Sequence, residues 1–312
     1  MVTAALPISN VNVVDTTITG TSGNTAGIAG QTKDTIQNVK VQGGTITGKG
    51  NLGGIVGNAL VNAQIVTAYC DAAVTHTGSN PVGGIVGLAN NVDNVTITDS
   101  WYAGTVSGNQ NLGGIIGKIN RSTVTISHCQ NSGEVVLTAA AGTSATAFGG
   151  AGGIVGFIGT DSSDSRTVRI EDTMNISKFT NPNSIGTMMC GSLFGQSYGS
   201  TDTLTVTSTY VVSQFRDQTT NEDYASGWPR TCYNGTANCT INGTAIATGY
   251  RADAYTRELD LLFNRATGVP TLDLSYDQGD GSDYWWVRPS SVSISRLKSF
   301  ADMPFKRNNT YQ

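Results

Sequence analysis

The 312-residue chain holds only two histidines, His76 and His128, and five cysteines. His128 precedes Cys129, and a thiol beside an imidazole can serve as an activated nucleophile. The pair stands at the end of a repeated strand, so it reads as repeat-edge residues rather than a dyad. His76 lies in a Thr-His-Thr turn region. No Gly-x-Ser-x-Gly elbow, His-Glu-x-x-His helix or Walker loop occurs. Gly48-x-Gly50-x-x-Gly53 matches the dinucleotide pattern but lacks the helix that must follow it, and with 39 glycines in the chain it reads as a chance match. Asp273, Asp277, Asp280 and Asp283 precede Tyr284-Trp285-Trp286. Closely spaced carboxylates can hold Ca²⁺, but this spacing does not fit the EF-hand loop and reads as a solvated turn. Trp285 and Trp286 could stack on sugars, but they read first as core or subunit-contact residues. These residues assign no catalysis, no cofactor and no metal.

Covalent modification has more candidates. Asn-x-Ser/Thr sequons occur at Asn94, Asn120, Asn175, Asn234, Asn238, Asn242 and Asn308. The spacing of four in Asn234, Asn238 and Asn242 is the suggestive cluster. Cys232 and Cys239 flank a Gly/Thr/Asn loop and are disulfide candidates. Cys70 and Cys129 fall two repeats apart, about 10 Å in a stack of strands, beyond disulfide reach.

Elements able to position such residues follow from composition. Gly makes up 39 of 312 residues and charged residues only 13%. Val, Ile and Thr dominate, and their branched β-carbons suit a pleated strand. A helical bundle and a coiled coil are excluded. A net charge of −4 and a pI near 5.1 leave no basic stripe for nucleic acid. The uncharged stretch 135–160 is too rich in Gly, Ser and Thr for a membrane span.

Repeats decide the architecture. Gly53-Gly54-Ile55-Val56-Gly57 recurs at 83–87, at 113–117 (as Gly-Gly-Ile-Ile-Gly) and at 152–156. Weaker copies stand at 26–30 and 191–195. A second element precedes each pentapeptide, clearest as Val95-Thr96-Ile97-Thr98-Asp99-Ser100-Trp101-Tyr102, with apolar residues alternating at period two. Each repeat reads as strand, turn, strand, turn, Gly-flanked strand. A unit of about 30 residues cannot bury its own apolar face, so neighbours must stack. Ile55, Ile85, Ile115 and Ile154 then form one inward ladder.

The run from Thr96 to Val135 resembles the GLUG repeat, a family named for a Gly-Leu-(hydrophobic)-Gly core in which Ile here replaces Leu. The resemblance covers about residues 10–215. It implies a β-solenoid-like stack in an extracellular setting, as in bacterial adhesins and surface proteins of microbial eukaryotes. It transfers no catalytic residue.

The expected fold is all-β: a solenoid or β-helix-like stack of about six coils over 11–216, preceded by an arm at 1–10. A small mixed cap or assembly domain at 217–312 follows, where 20 charged residues gather. One short helix is expected there, with Asp253 as N-cap and Tyr255, Leu259, Leu262 and Arg265 along it. The expected function is a non-enzymatic structural protein at the cell surface or outside the cell. It would be a subunit of an appendage, filament or layer, with copies of itself as partners. The alternatives are an adhesin or carbohydrate-binding module, with glycans as partners, and, further back, a polysaccharide-acting enzyme. The N-terminal arm, apolar and uncharged, is expected to be donated to a neighbouring copy.

Overall fold

A computed structural model describes residues 7–207 apart from 91–93, 122, 139–149, 160–164, 176, 182–189 and 198–201. It also gives the backbone of Thr3–Ala4, Tyr210–Val211, Gln214–Asp217, Arg230–Asn234, Asn238–Ile241, Thr244–Ile246, Trp285–Trp286 and Arg296–Leu297. No helix occurs among the described residues; the helix expected near 253–265 lies outside them.

The chain is an all-β solenoid. Three parallel sheets wrap one core, and each strand pairs with its counterpart one repeat later. The first sheet stacks Ala29–Thr32, Val56–Ala59, Val86–Asn90, Ile116–Asn120, Val155–Ile158 and Cys190–Ser197. The second stacks Ile8–Val14, Thr35–Gln42, Gln64–Cys70, Val95–Thr98, Thr123–Ser127, Thr167–Glu171 and Thr203–Thr207. The third runs from Thr17–Gly20 to Gln214–Asp217 in seven strands among the described residues. The four coils with clear pentapeptides form a regular centre. Registration is one to one there, for example Val95↔Val124 and Ile97↔Ile126.

The Ile ladder is the spine of the core. Ile55 N–H donates to Ile85 O at 3.0 Å, Ile85 to Ile115 at 3.1 Å, and Ile115 to Ile154 at 3.0 Å. All four side chains are 0% exposed. The pentapeptide is not one strand, as the repeat pattern suggested, but a corner. In coil two the strand Asn51–Gly53 ends, the chain bends through Gly54 and Ile55, and Val56–Ala59 begins. A side chain at Gly53, Gly83, Gly113 or Gly152 would collide with the carbonyl three residues on. At Gly54, Gly84 and Gly114 it would meet the backbone carbonyl of the next coil's second glycine. None of these glycines has positive φ. The motif needs Gly because backbones touch, not because φ is unusual.

Strands cross both expected domain bounds, as Ile8–Val14 and Gln214–Asp217. Within residues 1–10, Thr3 and Ala4 pair in parallel with Gln31 and Thr32, and Ile8 already pairs with Ile36. The segment's own first coil supplies the backbone partners it needs. At the other end, parallel pairing continues past residue 216. Arg230–Asn234 adds to Cys190–Ser197, and Asn238–Ile241 adds to Thr203–Thr207 before turning back antiparallel as Thr244–Ile246.

Candidate functional site

One corner of the second sheet gathers most of the polar chemistry. Asn10, Asn38, Thr67, Asp99, His128 and Asp172 occupy equivalent positions in successive coils. Each has a left-handed backbone, with φ of 59°, 51°, 54°, 50°, 51° and 43°. Asn, Asp and His tolerate this region better than most residues, whereas a β-branched Thr is strained in it. Every one follows an Ile by two residues: Ile8, Ile36, Ile65, Ile97, Ile126 and Ile170. The Ile fixes the strand, and the residue two on turns the corner.

The outer side chains of this column interact along it. Asn38 donates to Asn10. Further along, His128 sits between two carboxylates: Nδ1 is 3.7 Å from Asp99 Oδ1 and Nε2 is 3.6 Å from Asp172 Oδ2. Burial pushes the Asp99 carboxyl above its ordinary range, and the neighbouring His128 pulls it back. The sequence signal for both carboxylates was their phase in the repeat, which a search for sequence-adjacent dyads passes over.

Cys129 does not join His128. The two lie on opposite sides of the chain, His128 partly exposed and Cys129 fully buried. Burial drives the Cys129 thiol far above its usual range, and its Sγ lies 3.2 Å from Ser127 O and 3.4 Å from Ile97 O. Cys70 is likewise buried and pushed up to about 12, mainly by burial. Neither thiol is poised as a nucleophile, which requires a thiolate. The small inner residue after each corner has a different task. Ser100 Oγ accepts from Ala68 N–H (3.1 Å), and Thr173 Oγ1 accepts from Cys129 N–H (3.3 Å). A left-handed bend interrupts the ladder, and these hydroxyls satisfy donors that it would otherwise orphan.

His76 is a structural plug. It is 6% exposed and stacks over Gly48 in the third sheet. Gly78 N–H donates to its Nδ1 at 2.8 Å, while its Nε2 lies 3.0 Å from Gly50 O. Asn80 N–H also reaches Nε2 at 3.3 Å, so three backbone groups hold the ring. The Gly48-x-Gly50-x-x-Gly53 run accordingly forms strand ends and a turn.

The sequons separate by burial. Asn94 is exposed with φ of 59°. Asn120 is half-buried and donates to Asn90 at 3.3 Å. Asn175 is 0% exposed, and its Oδ1 accepts from Asn131 Nδ2 at 3.1 Å inside the core. Asn131 also donates to Gly153 O at 2.7 Å, tying the second sheet to a pentapeptide corner. Folding therefore withdraws Asn175 from any glycosyl-transferring enzyme. Asn234 and Asn238 lie on the strands that extend the first and second sheets. Asn242, Asn308, Asp273, Asp277, Asp280 and Asp283 fall outside the described residues. Cys232 pairs beside Phe194 in the first sheet and Cys239 beside Leu204 in the second. The backbone of Trp285–Trp286 pairs antiparallel with Arg296–Leu297.

Two further clusters are internal. Tyr69 and Trp101 meet edge to face with ring centroids 5.4 Å apart, and Lys40 Nζ lies 5.4 Å from the Tyr69 ring. All three are buried, and Trp101 Nε1 donates to Ser132 Oγ at 2.7 Å. Arg166 and Asp202 form a buried ion pair at 3.1 Å, both side chains 0% exposed. Asp202 also accepts from Arg166 N–H at 3.1 Å and from Ser197 Oγ at 2.9 Å. The cluster clamps the starts of two adjacent strands. Among the described residues, no group of three or more His, Cys, Asp or Glu is arranged to hold a metal ion, and no helix is long and apolar enough to cross a membrane. Comparison with protein families, curated proteins and solved structures finds no match for this chain.

Proposed function

We propose that this protein is a non-enzymatic structural subunit of an extracellular or cell-surface appendage, filament or layer, joined to other copies through coil-edge contacts. The observation that supports the reading is the edge presented by the first coil. Among the described residues, Ile8–Val14, Thr17–Gly20 and Asn24–Ala26 each pair on one side only. Ile8, Val11, Val13, Ile18 and Ile28 are only partly buried, while Ile36, Val39, Val41, Ile46 and Ile55, one coil on, are at most 2% exposed. Edges of soluble sheets are ordinarily blunted by charge. The first 32 residues carry a single charge, Asp15. An uncharged edge with half-covered apolar side chains favours strand addition, and a second copy of the chain brings strands of the same period.

The test is the particle size of the full chain against concentration, by sedimentation and negative-stain microscopy. Val11→Lys and Val13→Lys should convert assemblies to monomers without changing the far-ultraviolet spectrum. A wild-type monomer at high concentration, or assemblies indifferent to both lysines, would reject the reading.

A further inference from the structure

The third sheet carries a grid of hydroxyl groups that the protein itself does not use. Its first four strands are Thr17–Gly20, Thr45–Gly48, Ala73–His76 and Thr105–Gly108. One outward row is Thr17, Thr45, Ala73 and Thr105; the other is Thr19, Thr47, Thr75 and Ser107. Between them Ile46, Val74 and Val106 point inward and are at most 1% exposed. The seven hydroxyl-bearing residues are exposed or half-exposed. None of their hydroxyls bonds to another group among the described residues, in contrast to Thr180 further along the sheet, whose Oγ1 donates to Glu134 Oε1 at 2.5 Å. Neither row carries a charge until the Glu134–Lys178 pair ends the grid.

Registration fixes the spacing. The strands pair one to one without a shift, so the rows are straight. Parallel strands lie about 4.8 Å apart, and residues i and i+2 of one strand about 6.6 Å apart. These two spacings lie close to the oxygen repeats of hexagonal ice along its a and c axes. A Thr on a strand has few χ1 choices, so each hydroxyl is held in place by its own branched carbon. Its methyl group beside the hydroxyl leaves little room for disordered water.

We infer that this face binds ice. A crystalline partner reads a two-dimensional repeat and a flexible chain has none; a second copy of this chain would offer only the same uncharged hydroxyl rows, with no apolar or charged complement to this face. Among crystalline partners, polysaccharides are gripped by stacked aromatic rings, and neither row contains one. Waters held on six fixed threonine hydroxyls and the Ser107 hydroxyl at lattice spacing join a growing crystal face with little further ordering. The inference is independent of coil-edge assembly, which uses a different surface.

The experiment is thermal hysteresis of the full chain, together with its partitioning into a slowly growing ice hemisphere. Wild type should enter the ice and depress its growth temperature. Thr47→Lys and Thr75→Lys should each reduce the hysteresis several-fold. Thr96→Lys, on the second sheet, should leave it unchanged. Ala73→Thr fills the one gap in the grid and should raise it. Far-ultraviolet circular dichroism checks that each variant keeps the fold, and Thr47→Val, which keeps the shape, serves if the lysine variant does not fold. Exclusion of wild type from ice without hysteresis overturns the inference, as does equal loss in the Thr96→Lys control.

Discussion

Replacing Ile115 by Ala tests the stacked core most directly. The side chain is 0% exposed, and its backbone is bonded to Ile85 on one side and Ile154 on the other. The substitution removes three carbons from a column with neighbours above and below. At about 0.8 kcal/mol per buried carbon the transfer loss is about 2.4 kcal/mol. A cavity that relaxes only partly adds about 1 kcal/mol or more. The fixed backbone of the flanking glycine corners hinders collapse, so the expected cost is about 3–4 kcal/mol. Ile28 occupies the same phase at the open end and is only partly buried. Ile28→Ala should therefore cost roughly half as much, about 1–2 kcal/mol. Urea unfolding followed by circular dichroism measures both, with unchanged m-values as the sign that the two states are the same. A cost below about 1 kcal/mol for Ile115→Ala, or equal costs at both ends of the ladder, would refute the shared, stacked core.

Cys70 makes stability fall in alkali. Burial holds its thiol neutral up to about 12, against an ordinary 9.0. The stabilisation is complete below pH 9 and is lost as pH rises from there towards 12, at up to about 1.4 kcal/mol per pH unit. Cys70→Ala should roughly halve the fall of the urea midpoint between pH 8.5 and 10.5, because the buried Cys129 thiol contributes a similar slope; an unchanged slope would contradict the assignment. Asp202→Asn removes one carboxylate from the buried Arg166–Asp202 pair and should cost about 3–5 kcal/mol by urea titration, whereas a loss within error would mean that water reaches the pair. Thr67→Asn relieves a β-branched residue at φ 54° and should stabilise by about 0.5–1 kcal/mol; a lower melting temperature would show that the Thr contacts outweigh the strain.

Much of the solenoid was legible in the chain. The period of Gly-Gly-Ile-Val-Gly gave the stacking unit, and alternation in Val95-Thr96-Ile97-Thr98 gave its strands. Both signals are local, because a strand's apolar face repeats every second residue whatever lies beside it. The corner column could also have been read, since Asn10, Asn38, Asp99, His128 and Asp172 all stand two residues after an Ile.

What neighbouring coils decide was not legible. The same sequon is exposed at Asn94 and buried at Asn175, where the side chain stacks beside Asn131 on the adjacent strand. His128 and Cys129 are adjacent in the chain yet separated by the backbone, one among carboxylates and the other in the core. The pentapeptide glycines marked the ends of a strand in the sequence, but what requires Gly54, Gly84 and Gly114 is the approach of the next coil's carbonyl. The N-terminal segment looked free until Thr3 and Ala4 found partners at Gln31 and Thr32. In each case the deciding atom belongs to a residue one coil away, at a sequence distance that insertions vary. The sequence by itself determined the repeat, its strands and their inward faces, which depend on side-chain alternation within a few residues. Burial, hydrogen-bond partners and steric need were decided by the tertiary structure alone, because they are properties of the contact between coils.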